Sequence, residues 1–140
     1  MPPRWIVPLA ALLAAAAVGL GAYSAHGLEK RLESLGYHAD LAERLDWFES
    51  GVRYHMYHGL GLLLVGVLAS REGASAALRF AAVAFVVGIV LFSGSLYAMT
   101  LAPAEWRWLG AVVPLGGVSL IVGWFVVAYA AWKHECFDNS

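Results

Sequence analysis

Charged residues are confined to short stretches of the sequence, and four long windows contain none of them. These windows cover residues 5–25, 54–70, 80–104 and 108–132. A soluble helical protein carries charge on the outer face of every helix, whereas an apolar helix of about 20 residues matches the roughly 30 Å hydrocarbon core of a bilayer. The pattern therefore predicts an all-α integral membrane protein with four transmembrane helices.

The one long connection, residues 26–53, has its own pattern. Gly36 ends a first apolar repeat, and Asp40 then opens a sequence that resembles a helix capping box. The apolar residues that follow at helical spacing are Leu41, Leu45, Phe48 and Val52. We therefore predict an amphipathic helix over about residues 40–53 that lies at the membrane interface, bends at Gly51 and runs into the second span.

The length of 140 residues accommodates the four helices, this connection and short ends, so we expect a single domain, residues 1–140. The first window is longer than the apolar region of a signal peptide, and we expect it to be retained as a helix. An even number of spans puts both termini on one side. Lys and Arg are almost evenly divided between the two sides, and Arg4 beside the first helix tips the prediction towards cytoplasmic termini.

Four motifs resemble those of a known family. They are GAYSAHGL at residues 21–28, FESGVRYHMYH at 48–58, LFSGSLY at 91–97 and PLGG at 114–117. In this order and layout the chain resembles the family of small four-helix inner-membrane proteins of unknown function typified by bacterial YgdD and YwdK, which has a mitochondrial transmembrane relative. The resemblance implies a multi-pass protein of the inner (plasma) membrane. It supplies no substrate, cofactor or catalytic residue.

Polar residues of the four windows share one half of the predicted membrane, while the other half is almost purely aliphatic. A ligand site, if the protein has one, is expected there. The candidate ligand-binding residues are His26, Tyr54, His55, Tyr57, His58, Ser93, Ser95 and Tyr97.

Metal and haem fit this cluster poorly. His26, His55 and His58 could offer three imidazoles to a metal such as zinc. No window contains a carboxylate, which excludes a carboxylate-bridged di-iron site, and the third and fourth windows contain no histidine to face another across a haem. We therefore predict no metal and no cofactor.

Two interpretations of the cluster remain. A quinone or a lipid headgroup could accept hydrogen bonds from His58 and Tyr57, with Pro114 and Gly117 leaving backbone room. Alternatively, the small residues of Ser93–Ser95 face those of Gly116–Gly117, so that two membrane helices approach closely. Packing is the favoured interpretation.

The absence of catalytic patterns bounds the function. No nucleophile with an adjacent base is recognisable, so no catalytic residue and no enzyme activity are expected. A net charge of −1 provides no basic surface for nucleic acid. We hypothesise a non-enzymatic accessory or assembly partner of a larger membrane complex, or a homo-oligomer, embedded in the lipid bilayer. The alternatives are a quinone- or lipid-binding protein and, because ionisable groups within the windows are limited to His55 and His58, less favourably a small transporter.

Overall fold

A computed structural model describes residues 4–71 and 75–137 of the chain, with side chains as far as residue 133. Within these ranges every regular element is helical, as predicted. In chain order the elements are α1 (Ile6–Tyr23), a π-helical turn (Ser24–Leu28), α2 (Glu29–Ser34), α3 (Leu41–Arg71), α4 (Ala76–Leu101), a 3₁₀ segment (Ala104–Ala111) and α5 (Val113–Phe137).

In the described part of the chain, three helical segments are long and apolar enough to cross a membrane. They are Ile6–Ser34, Ala76–Leu101 and Ala104–Lys133. These segments match three of the four predicted spans. The window 54–70 lies in α3, which carries two histidines and two tyrosines there and a charged stretch before it, and its membrane crossing stays a prediction.

The first helical segment stops where the sequence predicts it. Gly36 has a φ of 84°, in the left-handed region that favours glycine. Its N–H donates to the Glu33 carbonyl at 2.9 Å, and the Tyr37 N–H donates to the Leu32 carbonyl at 3.1 Å. These two bonds form a Schellman motif, which satisfies carbonyls that the end of a helix otherwise leaves unpaired.

Helix α3 contains both the predicted interfacial helix and the window of the predicted second span. It begins at Leu41, directly after Asp40 as predicted, and continues without interruption to Arg71 over 31 residues. At ~1.5 Å per residue the helix is about 46 Å long, more than the hydrocarbon core requires. Gly51, where a bend was expected, is helical and buried. A Cβ at Gly51 would lie 2.8 Å from the Tyr97 ring, so this glycine makes room for a neighbour.

The long helices pack in sequence order, α1 against α3, α3 against α4 and α4 against α5. The tightest approach joins α4 and α5, where a Cβ on Gly116 would collide with the backbone at Phe92, and Leu120 occupies the space over Gly88. The small-residue seam therefore exists, but it lies nearer the middle of α4 than expected. A Cβ on Gly94 would meet nothing within 4 Å.

Candidate functional site

His55 and Tyr97 form a buried polar contact between α3 and α4. The Nδ1 atom of His55 lies 3.2 Å from the Tyr97 hydroxyl, and His55 is 6% exposed. The Tyr97 ring also packs against Phe48 with centroids 4.9 Å apart. Two of the predicted site residues are thus brought together, and they join α3 to α4 by a hydrogen bond and an aromatic contact.

His58 is held within a group of aromatic rings. Its Nδ1–H donates to the Tyr54 carbonyl one turn back at 2.7 Å, because a carbonyl oxygen can only accept. The imidazole stacks on the Tyr54 ring, with ring centroids 6.0 Å apart. Its centroid also lies 5.7 Å from that of Phe85 and 6.1 Å from that of Trp124. Side chains of three helices therefore surround His58, and one of its ring nitrogens is committed to its own helix.

Two buried polar atoms have no hydrogen-bond partner among the described residues. They are the Nε2 atom of His55 and the hydroxyl of Ser93. The two residues lie on facing helices, α3 and α4. An unpaired buried polar group costs free energy, so these atoms are the least satisfied part of the predicted cluster.

The remaining predicted residues are dispersed. Ser95 is buried, whereas Tyr54 and Tyr57 are 41% and 56% exposed. His26 is exposed on the π-helical turn. Since Gly21 lies against Val52, the antiparallel register puts His26 roughly 16 Å from His58 along the helix axis. Among the described residues, no group of three His, Cys, Asp or Glu side chains could hold a metal ion.

The most extensive polar network among the described residues centres on Arg44, which lies between the apolar positions Leu41 and Leu45 of the predicted amphipathic helix. Arg44 is 1% exposed. Its Nη1 donates to the carbonyls of Met99, Thr100 and Ala102 at 3.0, 2.8 and 2.9 Å. The guanidinium also lies 3.6 Å from the centre of the Tyr37 ring. A single side chain thus caps the C-terminus of α4, whose carbonyls would otherwise lack donors.

Asp40 links Arg44 to the 3₁₀ segment. One carboxylate oxygen of Asp40 accepts from Arg44 Nε and from Arg107, both at 2.8 Å. Arg107 also donates to Glu43 at 3.0 Å. Partial burial raises the pKa of Asp40, but the bonds and charges of Arg44 and Arg107 outweigh it and hold the pKa below its ordinary value of 3.8. We call Asp40, Arg44, Thr100 and Arg107 the latch.

Part of the latch was visible in the sequence. Asp40 and Arg44 are four residues apart, a spacing that pairs opposite charges on a helix. The partners on α4 are backbone carbonyls more than 50 residues away along the chain, and carbonyls carry no sequence signature. The latch was therefore missed.

A groove lies beside the π-helical turn, facing the N-terminal half of α3. Its volume is about 420 Å³, which is within the range of small-molecule sites. Its lining includes Gly21, Ser24, Glu29, Leu45, Glu49 and Val52. None of the eight predicted ligand-binding residues is among those that line this groove.

Comparison with known proteins identifies relatives along most of the chain. The model of a family described as "Protein of unknown function (DUF423)" matches residues 20–117. The UPF0382 membrane protein YwdK of Bacillus subtilis is 41% identical over 126 residues, covering 90% of this chain and 94% of the relative. A UPF0382 membrane protein of Haemophilus influenzae is 35% identical over 121 residues, covering 84% and 86%. No solved structure matches the chain.

Proposed function

Because this chain belongs to the DUF423 family of proteins of unknown function, as its motifs predicted, we propose that it is a four-span protein of the inner membrane that acts as a non-enzymatic assembly partner of a larger membrane complex. Its relatives are named membrane proteins, and their names assign no activity. The observation that carries the proposal is the latch.

The packing of α3 on α1 supports a fourth span. A Cβ on Gly66 would contact Val7, one on Gly59 would contact Ala14, and Gly21 lies against Val52. Since α1 is apolar enough to cross the bilayer, a helix packed antiparallel along its whole length lies at the same depth. On this basis we propose that residues 54–70 lie within the membrane and that both termini share one side, which we assign to the cytoplasm from Arg4 beside the first helix. Residues 41–53 then extend towards the opposite side.

The latch holds the part of the chain that extends from the membrane in one conformation. We call residues 41–53 of α3 together with the 3₁₀ segment the platform. Burying a guanidinium is costly unless it is paired and hydrogen-bonded. The bonds of Arg44 tie residues 41–53 to the end of α4, and Arg107 ties the 3₁₀ segment to Asp40 and Glu43. A surface held in one shape binds a partner without an ordering cost.

The platform presents residues suited to binding a protein. Trp106 and Trp108 are 50% and 64% exposed, and tryptophan is enriched among the residues that dominate protein interfaces. Glu105, which directly precedes Trp106, and Asp46 on α3 are exposed as well. An aromatic surface with a polar rim is the usual composition of a docking site.

The histidine cluster supports a structural role over ligand binding or transport. His55 bonds to Tyr97, and His58 bonds to its own helix within a group of aromatic rings. The described groove lies elsewhere. These contacts support a packing role for His55, His58 and Tyr97, and we place the functional surface on the platform.

Site-specific photo-crosslinking tests the proposal. A photoreactive amino acid replaces Trp108 on the platform or, as the control, Phe125, which is 73% exposed on α5. We expect one discrete protein adduct from position 108 and none from position 125, because the latter faces lipid. Mass spectrometry of the adduct identifies the partner, and an adduct of twice the chain's mass identifies a second copy.

Two results would overturn the proposal. One is the absence of a protein adduct at position 108 in a folded, membrane-inserted chain. The other is recovery of the detergent-solubilised wild type only as a free monomer, with no partner in stoichiometric amount.

A further inference from the structure

The lining of the groove beside the π-helical turn changes from apolar to charged along its length. Gly21 and Val52 line the end towards the proposed bilayer, whereas Glu29, Leu45 and Glu49 line the end away from it. Glu29 directly follows the turn, in a run of charged residues that ends the apolar sequence of α1. The groove therefore lies at the level where apolar sequence gives way to charge, which is the level of lipid headgroups.

Charges beside the groove follow a definite order. Glu49 and Arg53 stand one turn apart on α3, and Arg53 is the nearer of the two to the span. Their side chains pair at 3.1 Å while remaining 66% and 50% exposed. Exposed pairs of this kind contribute little to stability, so either partner can exchange its bond for one to a ligand.

We propose that this groove binds the headgroup of phosphatidylethanolamine. The ammonium of this lipid lies outermost and contacts Glu29 and Glu49, the phosphate lies about one turn deeper beside Arg53, and an acyl chain follows Val52 towards the bilayer. The order of negative and positive charge on the protein thus complements the order of charge in the lipid.

The lining selects a primary ammonium over a quaternary one. Carboxylates and the Ser24 hydroxyl accept hydrogen bonds, and a primary ammonium has three N–H donors while a choline headgroup has none. Proteins recognise quaternary ammonium by enclosing it with aromatic rings. No aromatic side chain is among the described residues that line this groove.

The inference rests on the membrane placement proposed above and adds a ligand on the face of residues 41–53 that borders the groove. The test uses the full chain purified in mild detergent and reconstituted in nanodiscs of phosphatidylglycerol mixed with either phosphatidylethanolamine or phosphatidylcholine. Native mass spectrometry then measures which lipid stays bound. We expect the wild type to retain phosphatidylethanolamine in preference to both other lipids.

A paired variant tests the residues. Glu29→Gln combined with Glu49→Gln removes both carboxylates while keeping side-chain size, and we expect the preference to fall about tenfold or more, since charge-assisted hydrogen bonds are the strong ones. Glu33→Gln is the matched control, because Glu33 is exposed in the same segment and does not line the groove. The control should keep the wild-type preference.

Four results would overturn the inference. The first two are equal retention of the three lipids by the wild type and an unchanged preference in the double variant. The third is the same loss of preference in the Glu33→Gln control, and the fourth is thermal stabilisation by free ethanolamine equal to that by the lipid, which indicates a site for soluble amines. Crosslinking at position 108 in the double variant separates the two proposals. If the double variant loses the lipid preference but still forms the protein adduct, the assembly role is supported. If the lipid preference is present but no protein adduct forms at position 108, the assembly role alone is contradicted.

Discussion

Arg44 donates to three carbonyls at the C-terminus of α4 and to Asp40, with Tyr37 stacked on its guanidinium. The carbonyl end of a helix carries partial negative charge, so a cation there is favourable. Thr100 adds a second link, because its hydroxyl lies 3.2 Å from the Arg44 carbonyl as well as 2.8 Å from that of Leu96. The desolvation cost of the guanidinium is offset only while all these partners are present.

Replacing Arg44 by methionine is therefore expected to destabilise the protein strongly. The change leaves the α4 carbonyls without their donor and leaves the Asp40 carboxylate with Arg107 as its remaining donor. Breaking a buried charged network of this kind costs about 3–5 kcal/mol. The matched control is Arg53→Met, which removes an arginine from an exposed pair and should cost about 1 kcal/mol or less. Denaturant unfolding in a constant detergent measures both. Equal losses in the two variants would show that the latch contributes no more than a surface pair.

The residues of the predicted cluster show what a sequence can and cannot reveal. His55, Tyr97 and Ser93 were recognised as polar residues at one depth, and depth follows from counting along a helix. Their partners depend on how each helix is rotated about its axis, which packing decides. Sequence counting therefore could not foresee that His55 would bond to Tyr97, while the Ser93 hydroxyl is left without a partner among the described residues.

Helices α4 and α5 are joined by their closest approach rather than by polar contacts alone. Gly116 lies against the backbone of Leu91 and Phe92, and the Ser119 hydroxyl donates to the Ala84 carbonyl at 2.8 Å. Without a hydrophobic driving force between helices in lipid, such close packing is a main source of helix association. The contact therefore depends on glycine at this position.

Gly116→Leu is expected to separate α4 from α5 and to lower stability by about 1–3 kcal/mol or more, as overpacking does. Gly94→Leu serves as the control, because a Cβ there would meet nothing within 4 Å, and this change should be close to neutral. Thermal unfolding in detergent, followed by circular dichroism, compares the two. A well-folded Gly116→Leu variant with wild-type stability would contradict the close-packing interpretation.

At the level of elements, the charge-free windows predicted the apolar helices well, because the exclusion of charge is a direct consequence of lipid contact. The ends of the helices were predicted less accurately. Helix α4 begins at Ala76, four residues before its window, where the Ser75 hydroxyl accepts from the Leu78 N–H at 3.2 Å. At Gly51, where the prediction placed a bend, α3 is continuous and a Cβ would lie 2.8 Å from the Tyr97 ring. A glycine that makes room for an aromatic ring cannot be distinguished in sequence from one that permits a bend.

The whole molecule is an antiparallel arrangement in which α3 and α4 each pack against two long neighbours. Four crossings require that the connections on either side of α3 lie on opposite sides of the membrane. Three crossings, with α3 outside the bilayer, would put them on the same side. The accessibility of these two connections therefore decides the number of spans.

Single cysteines test this arrangement in a Cys136→Ser background. Leu35→Cys and Ala104→Cys probe one side and Ser75→Cys probes the other, all at exposed positions. We expect a membrane-impermeant thiol reagent applied to intact cells to label positions 35 and 104 but not 75, and to label 75 after the membrane is opened. Labelling of positions 35 and 75 together in intact cells would contradict the fourth span.

The π-helical turn has a further consequence for how the chain tolerates changes in length. Such a turn holds one residue more than an α-helical turn would. Deleting Ala25 would therefore convert Ser24–Leu28 to ordinary α-helix while the helix on each side keeps the face it presents to α3. An insertion or deletion elsewhere in α1 would instead rotate every later side chain by about 100° and bring Leu28 and Leu32 out of the core. The turn is thus the one place in this helix where the chain can lose a residue and still fold in register.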